Sequence, residues 1–444
     1  MTIDIDDLQN GVHANDMIVV SIEPLGFCDD YVYDIETEDG TFIASSSLFD
    51  RGLVCKNTDS CYVTFDVPRH EYILEDGSFD EVAFMKKNFE LSEECAARIS
   101  SEFKHPIKLE FEKIMYPFFI YAKKRYAYKE WTKYTHPNDI EYKGLSLVRR
   151  DYCAYIKYVC SKVFKILMTD ASLRIEHKES EIVIYETIVT ENKSTGAKET
   201  SIEEVHIDLS LRNTLDKTAN KQLADALGSI SSPKSLAILY TRKAIYDLLV
   251  GHTVKLDQLI LSKSLKASYK MSGTYIKWNK GLCTIHKCEV SKGQKCRKCD
   301  KCNPNMSTNK GSLMKFMAPS ATSNKACKEC QEAYTFVSLP HVVIANRLRK
   351  KDPNNGPKPP DRVNFVYTYT KDVKKKKQWE FTHSPDELEG RSIYYLYYFQ
   401  HQLQNPIDQI FEIMYSDGTS FIYQDIVQAC INITENQQSL SNFF

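Results

Sequence analysis

The chain has 444 residues, a mass of 51.2 kDa and a formal net charge of -1, long enough for two or three domains with their own cores. That balance excludes a globally basic nucleic-acid binder, so contact with a polyanion has to come from local runs such as Lys123-Lys124-Arg125 or Lys374-Lys375-Lys376-Lys377. No run of about 18 apolar residues argues for a membrane span, and MTIDIDDLQNG lacks the parts of a signal peptide, so an intracellular site is expected, nuclear or in a cytoplasmic replication compartment, not secreted and with no membrane partner.

In chain order, Met17 to Gly26 predicts a strand ending in a Pro-Leu-Gly turn, and Tyr31 to Ala44 alternates before turning at Asp39-Gly40. Gly52 to Cys55 is a short strand, and Thr58 to Asp66 continues as strand. Phe84, Phe89, Leu91 and Ala96 to Ile99 recur near helical spacing and predict a helix over Ser78 to Phe103. Leu109 to Tyr121 alternates again and runs into AKKRYAYKEW. Asp151 to Met168 is helical, with Tyr155, Val159, Val163 and Ile166-Leu167 on one face. Glu176 to Lys217 is polar and reads as an insertion, partly strand (Glu181 to Thr187) and partly mobile. Leu236 to Val250 is a helix, Val254 to Leu261 leads to a shorter one, and Pro340 to Lys350 starts another. Arg391 to Gln404 and Pro406 to Met414 are two closing helices. The fold class is α+β.

Seven of the 14 Cys fall between 283 and 330, as CTIHKC, CRKCDKC and CKEC. Outside an oxidising compartment these read as thiols or metal ligands. Cys296-x-x-Cys299 with Cys327-x-x-Cys330 has the pairing and long intervening loop of a structural zinc site. Cys283, His286, Cys288 and Cys302 are further candidate ligands, and spacing alone leaves the partition open. Four thiolates leave no open coordination position, so a structural Zn2+ is expected rather than a catalytic one. Scattered Cys elsewhere read as small buried residues.

From Thr58 onward the order of motifs resembles family B DNA polymerases, from the end of the palm through the thumb. TDSCYV resembles the second half of the palm metal motif Tyr-Gly-Asp-Thr-Asp-Ser. FELSEECAARISSEFKHPIKLEFEKIMYPFFIYAKKRYA resembles the following palm helix, strands and KKRY segment. GLSLVRRDYC, AIYDLLVGHTVKLDQLILSKSL, PHVVIANRLRKKDP with DRVNFVY, and YYFQHQLQNPIDQIFEIM resemble successive thumb elements. Before Thr58, VYDIETEDGTFIA and GLVCKN resemble the last two blocks of an intein, a β-rich Hint-type segment, inserted where the family places an Asp before the Thr. The implied organisation is 1–57 intein C-terminal segment, 58–142 end of the palm, and 143–436 a mostly α-helical thumb. The thumb carries a polar insertion at about 171–232 and a Cys-rich zinc insertion at about 276–336; 437–444 is a tail.

The resemblance assigns roles. Asp59 is one carboxylate for two Mg2+ ions shared with an upstream half, where its partner Asp lies. Asn57 would cyclise through its side-chain amide, Thr58 supply the hydroxyl nucleophile, and Asp34 assist proton transfer. Lys56 stands where an intein usually has His. Lys124 and Tyr126 are implied to meet the primer-template duplex; Arg149, Arg150 and Asp151 to combine backbone contact with an ion pair; and Arg347, Arg349 and Lys350 to face phosphates. Lys374 to Lys377 is either a DNA contact or a solvated hairpin. Gln437, Leu440, Phe443 and Phe444 match the Gln-x-x-Leu-x-x-Phe-Phe box that docks on sliding clamps. The function implied is the C-terminal half of a DNA-directed DNA polymerase, a nucleotidyltransferase fragment inactive alone. It would be joined to its upstream half by trans-splicing, with primer-template DNA, dNTP and a clamp as partners. Zinc, a clamp box and an intein together suggest the genome of a large DNA virus. A non-catalytic module for DNA binding and clamp docking, or an inactive remnant, are the alternatives.

Overall fold

The computed structural model describes residues 21–24, 33–36, 41–44, 53–56, 61–103, 108–191, 198–213, 217–228, 230–299, 301–302, 325–370 and 375–441. Its contacts divide the chain into two units, 1–117 with 128–140 and 118–127 with 141–444. The strand pairings among the described residues are all antiparallel, some within hairpins and others, such as Leu261–Ser264 with Arg362–Tyr367, between strands far apart in sequence.

In the first unit β1 (Ser21–Pro24) pairs with β2 (Tyr33–Glu36), while β3 (Thr41–Ala44) pairs with β4 (Leu53–Lys56) and β4 with β5 (Cys61–Tyr62). Thus β2 does not fold back on β3: they belong to different sheets. Of the strand expected over Thr58 to Asp66, residues 58–60 lie outside the described residues, Cys61–Tyr62 form β5, and beyond it the chain leaves strand, runs to Pro68, which has no N–H to offer a ladder, and enters a turn at Arg69–Tyr72. Helix α1 (Glu81–Glu102) starts where Asp80 accepts the Ala83 N–H at 2.9 Å. Its buried Phe84, Met85 and Phe89 close on Trp131, whose indole N–H donates to the Tyr116 carbonyl at 2.6 Å.

Three strands run through residues 114–143: β6 (Ile114–Ala122), β7 (Arg125–Trp131) and β8 (Ile140–Lys143), in that order. In the second unit α2 (Ala154–Leu167) matches its periodicity. The polar insertion is more regular than expected. After β9 (Leu173–His177), strands β10 (Glu181–Glu191) and β11 (Lys198–Asp208) pair over eleven residues. The abundant Glu and Lys mask a half-buried hairpin: Ile182, Ile184, Val205 and Ile207 are buried. Helix α3 (Lys217–Leu227) leads to α4 (Pro233–Leu249). Ser232 caps α4, accepting the Ser235 N–H at 3.1 Å, with Pro233 at the first helical position. Consecutive residues Leu236 to Arg242 are all buried, so α4 is a core helix rather than an amphipathic one. The Tyr155 hydroxyl of α2 donates to its Ala244 carbonyl at 2.7 Å.

The remainder mixes strands with helices, correcting the expectation of a mostly α-helical segment. After α5 (Leu256–Leu259), β12 (Leu261–Ser264) pairs with β18 (Arg362–Tyr367), which pairs with β19 (Thr382–His383). Strands β13 (Ser268–Met271) and β14 (Thr274–Lys277) form a hairpin. Strand β15 (Gly281–Cys283) lies between β16 (Cys288–Val290) and β17 (Tyr334–Phe336), with α6 (Lys328–Glu332) just before β17 and α7 (Pro340–Lys351) after it. The break expected before Pro406 does not occur. Helix α8 (Tyr395–Tyr398) continues through a π turn at Phe399–Leu403 into α9 (Gln404–Phe411). The wider Gln404 N–H to Phe399 carbonyl bond shifts the ladder just ahead of the proline, which cannot donate. Helix α10 (Gln424–Ser441) follows. Among the described residues no helix is long and apolar enough to cross a membrane.

The buried Arg242 of α4 ties this unit together. Its Nε donates to Leu211 O at 2.6 Å, Nη1 to Ile422 O at 2.6 Å and Asp425 Oδ1 at 2.9 Å, and Nη2 to Asn213 O at 3.3 Å and Asp425 Oδ2 at 2.7 Å. Removing the carboxylate leaves a buried guanidinium short of its counter-charge, which costs about 3 kcal/mol. Asp425→Ala is therefore expected to lower the urea midpoint and speed hydrogen exchange in α10; unchanged exchange there would refute the anchoring role.

Candidate nucleic-acid interface and metal cluster

The KKRY segment is a hairpin tip. Strands β6 and β7 are joined by Lys123-Lys124, and Lys124 takes a left-handed φ of 61°, costly for a residue with a Cβ. Lys123, Lys124 and Arg125 are exposed side by side, whereas Tyr126 is half-buried, its ring edge-on to Phe118 at 5.6 Å. The strained tip is held from below by Gly144. A Cβ there would lie 2.0 Å from the Lys124 carbonyl oxygen, and Gly144 itself has φ +64°. Only glycine tolerates both the approach and the angle.

The VRRD segment separates its two arginines. Arg149 grips Asp151 with two bonds, Nε to Oδ1 at 3.1 Å and Nη2 to Oδ2 at 2.8 Å. The Arg149 hydrogen bond holds the Asp151 carboxyl below its ordinary value. Arg150 remains exposed. On α7, Arg347 pairs with Glu387 at 3.6 Å and Arg349 lies over the Trp278 ring at 5.7 Å, while Lys350 is exposed. The expected cations thus divide into groups engaged within the fold and groups turned to solvent. Of the Lys374–Lys377 run, Lys374 lies outside the described residues. The other three are exposed and lead into the turn Gln378–Phe381, where the Lys377 N–H donates to Glu380 at 2.6 Å.

The cysteine-rich insert brings its candidate donors together in two groups. Cys283, His286, Cys296 and Cys330 form one group, and Cys299, Cys302, Cys327 and Cys330 another; within each, one ligand atom per residue lies within 4.8 Å of the others. Cys296 and Cys299, adjacent in one CxxC, therefore fall in different groups, because the turn bonds Cys299 N–H to Cys296 O and Cys302 N–H to Cys299 O coil the chain. Burial pushes the Cys302 thiol up, but donation from the Cys327 N–H at 3.3 Å prevails with its neighbours and brings it to about 6, favouring the thiolate a metal needs. The donor set is closed and thiolate-rich, which fits zinc.

Asn57, Thr58 and Asp59, and Phe443 and Phe444, lie outside the described residues, so the fit of Asp59 to Mg2+ rests on sequence. Asp34 sits in β2 opposite Glu23, and Lys56 ends β4 opposite Thr41. Gln437 and Leu440 fall on α10.

Sequence reading missed two buried charged clusters. One is Arg242. The other is Lys162 on α2, bonded to Glu186 and to Glu203 at 2.8 Å, with Lys165 also on Glu186. The signal was available: Lys162 falls between Val159 and Val163 on the apolar stripe, where a charge must find a partner.

The model of the family described as DNA polymerase family B matches residues 81–227 and 238–414. The DNA polymerase of Acanthamoeba polyphaga mimivirus is 24% identical over 393 residues, 87% of this chain and 15% of that protein. The DNA polymerase delta catalytic subunit of Candida albicans is 35% identical over 122 residues, 28% of this chain and 10% of that subunit. That of Plasmodium falciparum is 41% identical over 97 residues, 21% and 9% of the two chains. The chain thus spans a small part of the length of the curated relatives it matches.

Gly144→Ala forces a left-handed alanine against the Lys124 carbonyl and should cost about 2 kcal/mol or more. Faster hydrogen exchange at Arg125 and a lower melting temperature are expected. An unaltered hairpin would show that the close approach is dispensable.

Proposed function

Because the chain belongs to DNA polymerase family B, we propose that it supplies the end of the palm and the thumb of a DNA-directed DNA polymerase acting on primer-template DNA and deoxynucleoside triphosphates. The observation that carries this is the family match, which runs from α1 to the end of α9 with one short gap. The hairpin tip at Lys123 to Arg125, with Arg150 and Lys350, is the proposed backbone-contacting surface: exposed cations suit phosphates, and the fold commits little else to them. Asp59 is proposed as one of two carboxylates for Mg2+, the second coming from an upstream half. When bound, that metal pair activates the primer hydroxyl and neutralises the triphosphate.

The junction extends the reading. Asn57 abuts Thr58 after two intein-like blocks. In the proposed reaction Thr58 Oγ attacks the carbonyl that ends the upstream half, breaks its bond to the first residue of the intein N-terminal segment, which leaves carrying the hydroxyl proton, and holds the acyl group as an ester. The Asn57 side-chain amide nitrogen then attacks its own backbone carbonyl, breaks the bond to the Thr58 nitrogen and leaves a succinimide. The freed Thr58 amine receives the acyl group to form the new peptide bond. Asp34 is the proposed proton-transfer carboxylate, with Lys56 in the usual position of His. The cysteine-rich insert is proposed to hold zinc, and Gln437, Leu440, Phe443 and Phe444 to dock on a sliding clamp. Lys56 is the observation that favours the second reading, a chain that binds duplex DNA and a clamp without being spliced, because an ammonium group lacks the neutral-pH proton exchange of imidazole.

Coexpression with an upstream half ending in an intein N-terminal segment tests the junction. Mass spectrometry should find one ligated chain lacking residues 1–57, and Asp59→Asn should abolish primer extension by it. Two unligated chains would remove the splicing reading and leave the binding module. Independently, Lys124→Ala should reduce the slope of log affinity against log salt for primer-template DNA by about 0.9, one phosphate contact. A slope equal to that of the parent chain would take Lys124 off the interface.

A further inference from the structure

We propose that the cysteine-rich insert holds two zinc ions joined through the thiolate of Cys330. Cys283, His286 and Cys296 complete one tetrahedron, and Cys299, Cys302 and Cys327 the other. The proposal deepens the zinc reading of the insert and is independent of the polymerase reading.

The distances separate this arrangement from the alternatives. A Zn–S bond of about 2.3 Å sets tetrahedral corners about 3.8 Å apart, and a nitrogen corner somewhat closer. Cys283 Sγ lies 3.9 Å from Cys330 Sγ, and Cys299 Sγ lies 3.8 Å from Cys327 Sγ. His286 Nδ1 is 3.3 Å from Cys283 Sγ and 3.5 Å from Cys330 Sγ, so these three atoms form one face of a tetrahedron. Cys330 also belongs to the group of Cys299, Cys302 and Cys327. One sulfur is therefore a corner of both.

Cys288 is the competing donor. Seven Cys and one His would make two separate four-ligand sites if Cys288 replaced Cys330 in the first. Its Sγ, however, lies 2.7 Å from Cys296 Sγ. That is too short for two corners of one zinc site and longer than the disulfide distance of about 2.05 Å. Only one of these two sulfurs can be a corner, and it is Cys296 whose Sγ lies within 4.8 Å of the donor atoms of Cys283, His286 and Cys330, so Cys288 stands beside the first site.

Local structure prepares the bridge. Cys327 begins α6 and places Cys330 in its first turn, where the sulfur is buried at 3% exposure. Strand β15, carrying Cys283, is pressed against β17, the strand after α6. A Cβ on Gly281 would lie 2.4 Å from the Thr335 carbonyl oxygen, so glycine permits the approach that brings Cys283 to Cys330. With two ions loaded all six cysteines bind as thiolates, any remaining thiol protons are released to solvent, and the centre has a formal charge of about -2. Exposed Lys287, Lys292, Arg297 and Lys298 surround it with compensating charge.

The test uses the full-length chain. Elemental analysis is expected to give two zinc ions per chain. Cadmium NMR of the exchanged protein is expected to show two resonances split by each other, since only a shared sulfur couples the metals. Cys330→Ala should lose at least one ion, and Cys288→Ala should keep both and keep the splitting. The cadmium measurement needs no variant and so does not depend on a variant folding. One ion per chain would overturn the two-ion centre. Two uncoupled resonances, or loss of an ion from Cys288→Ala with the parent chain uncoupled, would assign separate sites and overturn the bridge.

Discussion

The guanidinium of Arg242 is the point from which the larger unit is organised. Arginine carries five N–H donors in a fixed plane, and five bonds leave this one. They reach the turn after the β10–β11 hairpin, the turn before α10, and the first turn of α10. Elements nearly two hundred residues apart thereby share one cation inside α4. Burying it is expensive unless every donor is met, so the three segments must arrive together or not at all. An apolar residue at this position would fill the same volume without fixing where those segments lie. The geometry therefore contributes direction more than it contributes energy.

The same economy bears on how a chain of almost no net charge could present the proposed polyanion-binding face. Several cations are matched at short range, the buried Arg242 by Asp425 and Lys162 by Glu186 and Glu203, and the more exposed Arg149 by Asp151 and Arg347 by Glu387. Those pairs cancel at short range, and their fields fall away within a Debye length of about 8 Å. Among the exposed cations that face solvent are the tip at Lys123 to Arg125 and Arg150 and Lys350. Charge that is locally unbalanced, held on a rigid hairpin, steers a polyanion better than a larger charge spread over mobile side chains. The left-handed Lys124 and the absent Cβ of Gly144 are the structural cost of that rigidity.

Much of this was legible in the sequence where one period dominates. Helices α1, α2 and α7 lie close to where their apolar spacing put them, and KKRY was recognisable before its hairpin geometry was known. The β10–β11 hairpin was half hidden, because its solvent face is dense in Glu and Lys and hydropathy averages over both faces. The continuous helix through Pro406 was misread because a proline signals a break, while a π turn upstream can absorb it. The cysteine partition was illegible in principle. CxxC spacing shows that two sulfurs can meet one ion, but here adjacent cysteines turn to opposite groups, and the shared corner comes from a strand contact 47 residues away.

The pairing of β4 with β5 bears on the junction most directly. Val54 pairs with Tyr62 and Cys55 with Cys61, so a strand before Asn57, in the proposed intein segment, supplies the ladder partner of a strand after Thr58, in the proposed polymerase segment. A two-residue strand such as β5 has no stability of its own and depends on its neighbour. If splicing removes residues 1–57, β5 loses that neighbour at the moment its new N-terminal segment is attached. The incoming upstream segment is then joined directly to Thr58, and it is in position to pair with β5 along the edge that β4 leaves. On this view β4 keeps the first palm strand paired until its permanent partner arrives, and ligation and sheet completion become one event. The Asp expected just upstream would then be carried to the same hairpin as Asp59, which is the placement that two carboxylates need to share a metal pair.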